Sequence, residues 1–310
     1  MAGNVKIIGA VDIGGTKIAV GGIRDDGTIA HRCECLTEPE QGFQDAMQRV
    51  KQMLRSVATT CSRLDGIGIA CPGPLDPFTG VIGDVGTLPG WQGGNLVKEL
   101  QSAFGVTVAV ENDADAAALA EVNWGAAKGS KSFIYMTVST GIGGGIILAG
   151  ELYRGVEGAH PELGHQIIDR SGPLCYCTAH GCWESLASGS AMSSWMHEQE
   201  PGASAISAED ICELARQGKE LAVRAVKREG YYLGLGLANL VTLFTPDTIA
   251  LGGGVMKSSS LFLEDALKVV RDVCTQVPAE KTHITLASLG YDTGLLGAAQ
   301  SWLCRYRQGS

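Results

Sequence analysis

Three thiols fall within eight residues in Cys175-Tyr176-Cys177-Thr178-Ala179-His180-Gly181-Cys182, and His165 lies ten residues before the first of them. Three cysteines and one histidine make a closed tetrahedral set for Zn²⁺, with no open position for catalysis. On spacing alone His180 rivals His165 as the fourth ligand. The plain alternative is free thiols or a disulfide, but a reducing cytoplasm, the compartment expected here, disfavours the latter. Cys33, Cys35, Cys61, Cys71, Cys212, Cys274 and Cys304 are scattered and read as structural.

A second chemistry is suggested by glycine. The chain has 43 glycines in 310 residues, about twice the usual share of roughly 7%, without a Gly-X-Y period. Three clusters each follow an apolar, strand-like run: Asp12-Ile13-Gly14-Gly15-Thr16-Lys17, Ser139-Thr140-Gly141-Ile142-Gly143-Gly144-Gly145 and Gly252-Gly253-Gly254-Val255. Glycine lets a backbone approach a ligand and aim several N–H groups at phosphate oxygens. Thr16 and Thr140 add hydroxyls, and Asp12 at a strand end can hold Mg²⁺ through water. Neither common nucleotide motif fits. Gly14-Gly15-Thr16-Lys17 lacks Walker A spacing and a following helix. Gly141 to Gly145 run into Ile146-Ile147-Leu148, a strand, where a dinucleotide fingerprint opens a helix. A β-hairpin around phosphates is the expected form.

A third feature is Glu111-Asn112-Asp113, between a strand and an Ala-rich helix. Asn and Asp favour helix N-caps. A carboxylate at a strand end can also accept the proton of an attacking hydroxyl. Spacing does not select Asp113 over Glu111 or Asp115.

The elements that must position these groups follow from periodicity. Strands are predicted at 5–11, 17–23, 28–35, 64–70, 106–111, 133–139, 144–148, 248–251 and 283–287. Helices are predicted at 41–60, 96–104, 114–124, 261–275 and 295–306, with one or two more over 208–244. Residues 71–94 and 150–185 read as irregular. A meander followed by helices occurs twice, which predicts an α/β protein of two similar halves with mixed sheets.

Composition narrows the function. Lys and Arg total 24 against 33 Asp and Glu, a net charge of -9. That argues against nucleic acid as a partner, yet leaves an anionic ligand held by backbone N–H groups open. No apolar run is long enough for a transmembrane helix, and the first ten residues lack a signal-peptide layout.

The three glycine segments together resemble those of the ROK family (repressors, open reading frames, sugar kinases), within the actin-like, hexokinase-type ATPases. The resemblance runs from about residue 8 to 299 and is most specific over 111–184. It implies a two-domain actin-like ATPase (ribonuclease H-like) fold, with a small domain over 1–122 completed by a C-terminal helix over 294–310. A large domain over 123–293 would carry the zinc loop. It implies ATP with Mg²⁺ at Asp12, Gly14, Gly15, Thr16, Lys17, Thr140, Gly141, Gly143, Gly253 and Gly254, with the nucleotide between the domains. It implies Asp113 as base for a sugar hydroxyl, with Gly73, Asn112, Glu162, His165 and Glu184 on the sugar. It favours His165 over His180, giving His165, Cys175, Cys177 and Cys182 as ligands of a structural Zn²⁺.

Three departures from the family pattern stand out: Thr178 for a Gly, His160-Pro161 for the commoner Ala-Gly, and Thr87 for Asn. The activity implied is ATP-dependent phosphorylation of a hexose, most like a glucokinase, in a homodimeric cytoplasmic enzyme. Fructokinase and N-acetylmannosamine or N-acetylglucosamine kinase are the alternatives within the family, and a sugar-binding regulator the alternative outside catalysis. A DNA-binding repressor is not expected, since only eleven residues precede Asp12.

Overall fold

The computed structural model describes residues 5–200 and 206–306; residues 1–4 and 307–310 of the expected small domain lie outside them. The chain forms two compact units. The first gathers residues up to Gly129, the segment Leu152–Pro161, and the chain from Ser288 onward; the second holds Ser130–Glu151 and Glu162–Ala287. The divisions thus fall at Gly129 and Ser288, where the expected ones fall after 122 and 293. The strap Leu152–Pro161 is an addition that the expected boundaries lack. It joins the first unit because Arg154 donates to buried Glu111, and because His160 Nδ1 lies 2.9 Å from Asp115 Oδ2.

In the first unit β1 (Ile7–Ile13), β2 (Lys17–Arg24) and β3 (Ile29–Leu36) form the expected antiparallel meander. Helix α1 (Phe43–Cys61) leads to β4 (Gly66–Cys71), and α2 (Leu96–Phe104) to β5 (Val108–Asn112). Strands β4 and β5 add in parallel, giving the order β3-β2-β1-β4-β5. Alternation along β1 feeds two cores: Val11 and Ile13 join Val50 and Leu54 of α1, whereas Ile8 and Ala10 pack with α3 (Asp113–Trp124) and the C-terminal helix. Layers therefore cover both faces, as parallel pairing requires. The close approach of that C-terminal helix depends on small residues. A Cβ on Gly68 of β4 would lie 1.7 Å from the carbonyl oxygen of Ala298.

The second unit repeats the plan. Strands β6 (Phe133–Val138), β7 (Ile142–Leu148) and the short β8 (Glu151–Leu152) are followed by helices α4 (Trp183–Ala187), α5 (Gly189–Gln199), α6 (Ala208–Arg216) and α7 (Glu220–Phe244). Strand β9 (Thr248–Gly252), α8 (Leu263–Val273) and β10 (His283–Leu286) complete it, and α9 (Thr293–Tyr306) is the C-terminal helix of the first unit. The sheet order β8-β7-β6-β9-β10 matches that of the first unit element for element. Its core gathers Ile134, Met136, Trp183, Leu233, Leu237 and Phe262. Among the described residues no helix is long and apolar enough to cross a membrane.

The second glycine cluster differs from the loop that its composition suggests. Strand β7 starts at Ile142, so Gly143, Gly144 and Gly145 pair with Thr137, Met136 and Tyr135 inside the sheet. The antiparallel pairing is the hairpin read from the sequence. The turn itself is only Ser139-Thr140-Gly141.

Candidate active site and metal centre

In the first unit the chemistry gathers at the C-terminal ends of the parallel strands, where ligands of open α/β sheets bind. Asp12 of β1 pairs with Ala70 of β4, which pairs with Glu111 of β5; Cys71 pairs with Asn112. Register alone therefore brings the first glycine loop, the Pro72-Gly73-Pro74 segment and the acidic turn to one edge. Gly73 is so close to the turn that a Cβ there would meet Asn112 Nδ2 at 3.2 Å.

Asn112 is the N-cap of α3: its Oδ1 accepts from the backbone N–H of Ala114 at 2.8 Å and of Asp115 at 3.3 Å. Capping fixes the oxygen and leaves Nδ2 as the side chain's donor. Asp113 is the first residue of the helix, its Oδ1 accepting from Ala114 N–H at 2.9 Å. Protein crowded around Asp113 raises its carboxyl above the usual range, opposed by the Ala114 N–H and by His160. The side chain still reaches solvent, which tempers the shift. A cap and a solvent-reaching carboxylate thus coexist on adjacent residues. Glu111 and Asp115, the other acids of the turn, are buried and occupied, Glu111 by Arg154 and Asp115 by His160.

The first glycine loop is a pinned turn. Gly14 N–H donates to Lys17 at 2.8 Å, and Thr37 donates through Oγ1 to Gly14 and through its N–H to Thr16. A Cβ on Gly15 would lie 2.9 Å from Thr87 Cβ, so the departure at Thr87 sits directly beside this loop. Lys17 is engaged locally, with Nζ at Tyr291 and 3.6 Å from Glu34. Asp12 abuts the start of α9: a Cβ on Gly294 would come within 2.4 Å of its Oδ2.

Burial and the nearby Asp113 raise the Asp12 carboxyl from 3.8 to about 6, against Lys17 and Arg32. The folded protein therefore binds this proton more tightly than the unfolded chain. Stability from this group is greatest below pH 4, falls between pH 4 and 6, and is then lower by up to roughly 3 kcal/mol. Without Mg²⁺, Asp12→Asn is thus expected to melt higher than the wild type at pH 7, with the two curves converging toward pH 4. Thermal melts across pH 4–8 test this; a constant gap between the two would refute the linkage. The same variant should lose Mg²⁺-dependent nucleotide binding.

In the second unit the other two glycine segments meet. Gly253 has φ +94°, and a Cβ there would lie 2.3 Å from the Val138 carbonyl oxygen, so only glycine fits. Gly189 N–H donates to Ser139 at 2.7 Å, which brings the start of α5 to the same turn. These elements border a cavity of about 710 Å³ lined by Ser139, Thr140, Gly254, Val255, Ser190 and Arg216, among others. The sequence reading missed α5 and α6 as walls of this cavity. Helix α5 is signalled only by its N-cap, Ser188, whereas α6 lies within the helical pattern over 208–244 and opens on Ser207, in a capping box with Asp210.

Sequence-distant ligands also converge in the second unit. One donor atom each from His165, Cys175, Cys177 and Cys182 lies within 4.8 Å of the others. Cys175 Sγ is 3.6 Å from His165 Nδ1, and Cys177 Sγ is 3.4 Å from Cys182 Sγ. Such edges suit a tetrahedron around Zn²⁺, with Nδ1 as the imidazole donor. His180, the rival on spacing, lies outside the cluster, with its Nδ1 3.2 Å from the Gly172 carbonyl oxygen. Thr178 holds the left-handed conformation, φ +75°, that the family's glycine would adopt freely. The turn is kept at a cost of about 1 kcal/mol. Thr178→Gly should therefore raise the melting temperature by a few degrees without changing metal content; a lower melting point would contradict this.

The metal loop is joined to the glycine turn by Glu184. Its Oε2 accepts from Ile142 N–H at 2.7 Å, and a Cβ on Gly141 would lie 2.3 Å from that oxygen. His165 Nε2, the nitrogen turned from the thiols, is 2.9 Å from Tyr176 Oη. The Glu162 and Glu184 carboxylates also face the largely exposed Tyr176.

A family model described as "ROK family" matches residues 8–305. The chain belongs to the ROK family. Among curated relatives, a glucokinase of Thermotoga maritima is 30% identical over 307 residues, covering 95% of this chain and 96% of that protein. Two solved ROK structures share the fold. A ROK hexokinase from Thermus thermophilus superposes with TM-score 0.89 at 35% identity, covering 98% of this chain and all of that one. A ROK glucokinase from Streptomyces griseus, in complex with glucose and AMPPNP, has TM-score 0.79 at 31% identity, covering 99% of this chain and 100% of its own. The two mixed five-stranded sheets, one per domain, are thus the actin-like ATPase fold of ROK hexokinases.

Proposed function

We propose that this ROK protein is an ATP-dependent hexose kinase that phosphorylates the 6-hydroxyl of glucose. The observation that carries the reading is Asp113. It stands at a helix N-terminus and at the C-terminal edge of the parallel strands, beside Asn112 Nδ2, Gly73 and Asp12. Phosphoryl transfer asks little covalent chemistry of the protein; it asks for positioning, charge neutralisation and a group to take the hydroxyl proton.

Asp113 accepts that proton. Asn112 Nδ2 donates to a neighbouring hydroxyl and so orients the sugar, with Glu162, His165 and Glu184 as further partners. The backbone N–H groups of the glycine segments and the hydroxyls of Thr16 and Thr140 would hold the phosphates, and Asp12 would hold Mg²⁺, which supplies charge neutralisation. The 710 Å³ cavity beside Thr140 and Gly254 has the size and the polar wall for a nucleoside. A Zn²⁺ on His165, Cys175, Cys177 and Cys182 would be structural, holding the loop that carries Glu184 and turning His165 Nε2 away from the metal. The known ligands of the Streptomyces griseus relative, glucose and an ATP analogue, support the same pair of substrates here.

Coupled assays with ATP on glucose, fructose, mannose, N-acetylglucosamine and N-acetylmannosamine test the reading. Glucose should give the highest kcat/KM. A preference for another of these sugars would overturn the substrate, and sugar binding without turnover would overturn the kinase in favour of a regulator.

A further inference from the structure

The strap Leu152–Pro161 places a guanidinium and an imidazole on the acidic turn. Arg154 donates to Glu111, and His160 Nδ1 lies 2.9 Å from Asp115 Oδ2. Asp115 is 2% exposed and His160 15% exposed, so the second pair is shielded from water. It is an ion-pair contact by distance, without the alignment of a hydrogen bond, and Asp115 Oδ1 has no partner. A buried carboxylate with so few partners depends on the positive charge beside it, that of a protonated His160 at 2.9 Å and that of the Arg154 guanidinium, which also acts on Asp115. Asp115 lies two residues after Asp113, on the first turn of α3.

We propose that His160 is a positioning residue for Asp113: acting from the strap through Asp115, it balances the charge around the proton-accepting carboxylate. The inference rests on Asp113 being the base.

The groups facing Asp113 define the balance. Asp12 lies on β1, Cys71 on β4, Glu111 with its partner Arg154 on β5 and the strap, and Asp115 on α3. Of the charged partners that act on Asp113 itself, His160 favours its ionised form and Asp115 opposes it. With the imidazolium present the two offset each other. Without it, the negative charge of Asp115 acts alone, and Asp113 holds its proton to higher pH. The sign reverses if Asp115 is neutralised instead. An isosteric neutral pair should restore the balance.

The test is a pH titration of the Asp113 side-chain carboxyl by carbon NMR in wild type, His160→Gln, Asp115→Asn and the double variant. The resonance is identified by its loss in Asp113→Asn, and kcat/KM against pH is measured on the same proteins. In His160→Gln the titration and the acid limb should move up by about one pH unit, a roughly tenfold loss of kcat/KM below the limb and little change above it. In Asp115→Asn both should move down, and the double variant should return close to wild type. His160→Lys, which keeps a cation, should stay closer to wild type than His160→Gln.

A uniform loss of activity at all pH values, with the titration unmoved, would mean a merely structural histidine and overturn the inference. So would shifts of the same sign in the two single variants. If His160→Gln does not fold, Asp115→Asn and the double variant still give the sign. An active Asp113→Asn protein would instead overturn the base assignment, leaving the titration to report on the charge pair separately.

Discussion

Asp113→Asn is expected to lower kcat by roughly 10²- to 10⁴-fold, the usual worth of a general base. The substitution keeps side-chain volume, and an amide oxygen can still accept from Ala114 N–H, so α3 should keep its first turn. Sugar and nucleotide affinity should stay within a few-fold of wild type, because the proton acceptor acts chiefly in the transition state. Equilibrium binding of glucose, followed by protein fluorescence or calorimetry, separates this from misfolding. The pH profile carries a second signature. The wild-type Asp113 carboxyl is raised, so activity should fall on the acid side above the ordinary carboxylate range. Residual turnover in the variant should not share that limb. A variant with wild-type kcat would remove Asp113 from the mechanism.

The second large effect is expected at the metal loop. The purified protein should contain about one zinc per chain, and Cys177→Ser should abolish it. Structural zinc in small peptides is worth on the order of 10 kcal/mol, comparable with the whole stability of a typical domain. Loss of even part of that should produce a large fall in melting temperature and an inactive enzyme. Acid should act in the same direction. Burial pushes the Cys182 thiol up to about 12 and raises Cys175, whereas the Ala179 N–H lowers Cys177. Zinc must displace these protons, so chelators should strip it more easily as pH falls. A metal-free protein of undiminished activity would refute the assignment.

Much of this arrangement was legible in the residues, and the physical reasons differ from place to place. Buried parallel strands carry continuous apolar runs, so β1, β4, β6 and β9 announced themselves, and with them the strand ends that bear Asp12 and Gly253. The C-x-C cluster needed only local spacing, but choosing His165 over His180 needed the family resemblance, since the segment between His165 and Cys175 has no periodicity; the fold then keeps His180 out of the cluster. The hairpin at 139–148 was legible, with Gly144 and Gly145 in its second strand, but that strand starts two residues earlier, at Ile142, and takes in Gly143. Glycine signals loops by default, and only the sheet shows that Gly144 lacks a side chain because a Cβ would lie 2.4 Å from the Tyr135 carbonyl oxygen. The strap was illegible for a similar reason. Nothing local in residues 152–161 announces a strand or a helix, and its place is set by Glu111 and Asp115, more than 40 residues earlier. Helix α5 was hidden by serines and small residues, which weaken the apolar period, whereas α6 falls inside the helical pattern read over 208–244.

The bond from Ile142 N–H to Glu184 has a thermodynamic consequence. Glu184 follows the metal ligand Cys182 by two residues, and Ile142 follows the turn that carries Thr140 and Gly141. Whatever fixes one side limits the freedom of the other, and binding free energies at two coupled sites are reciprocal. If zinc tightens nucleotide binding by some factor, nucleotide must tighten zinc binding by the same factor. Slower zinc release to a chelator in the presence of an ATP analogue would measure that factor without any sugar being phosphorylated.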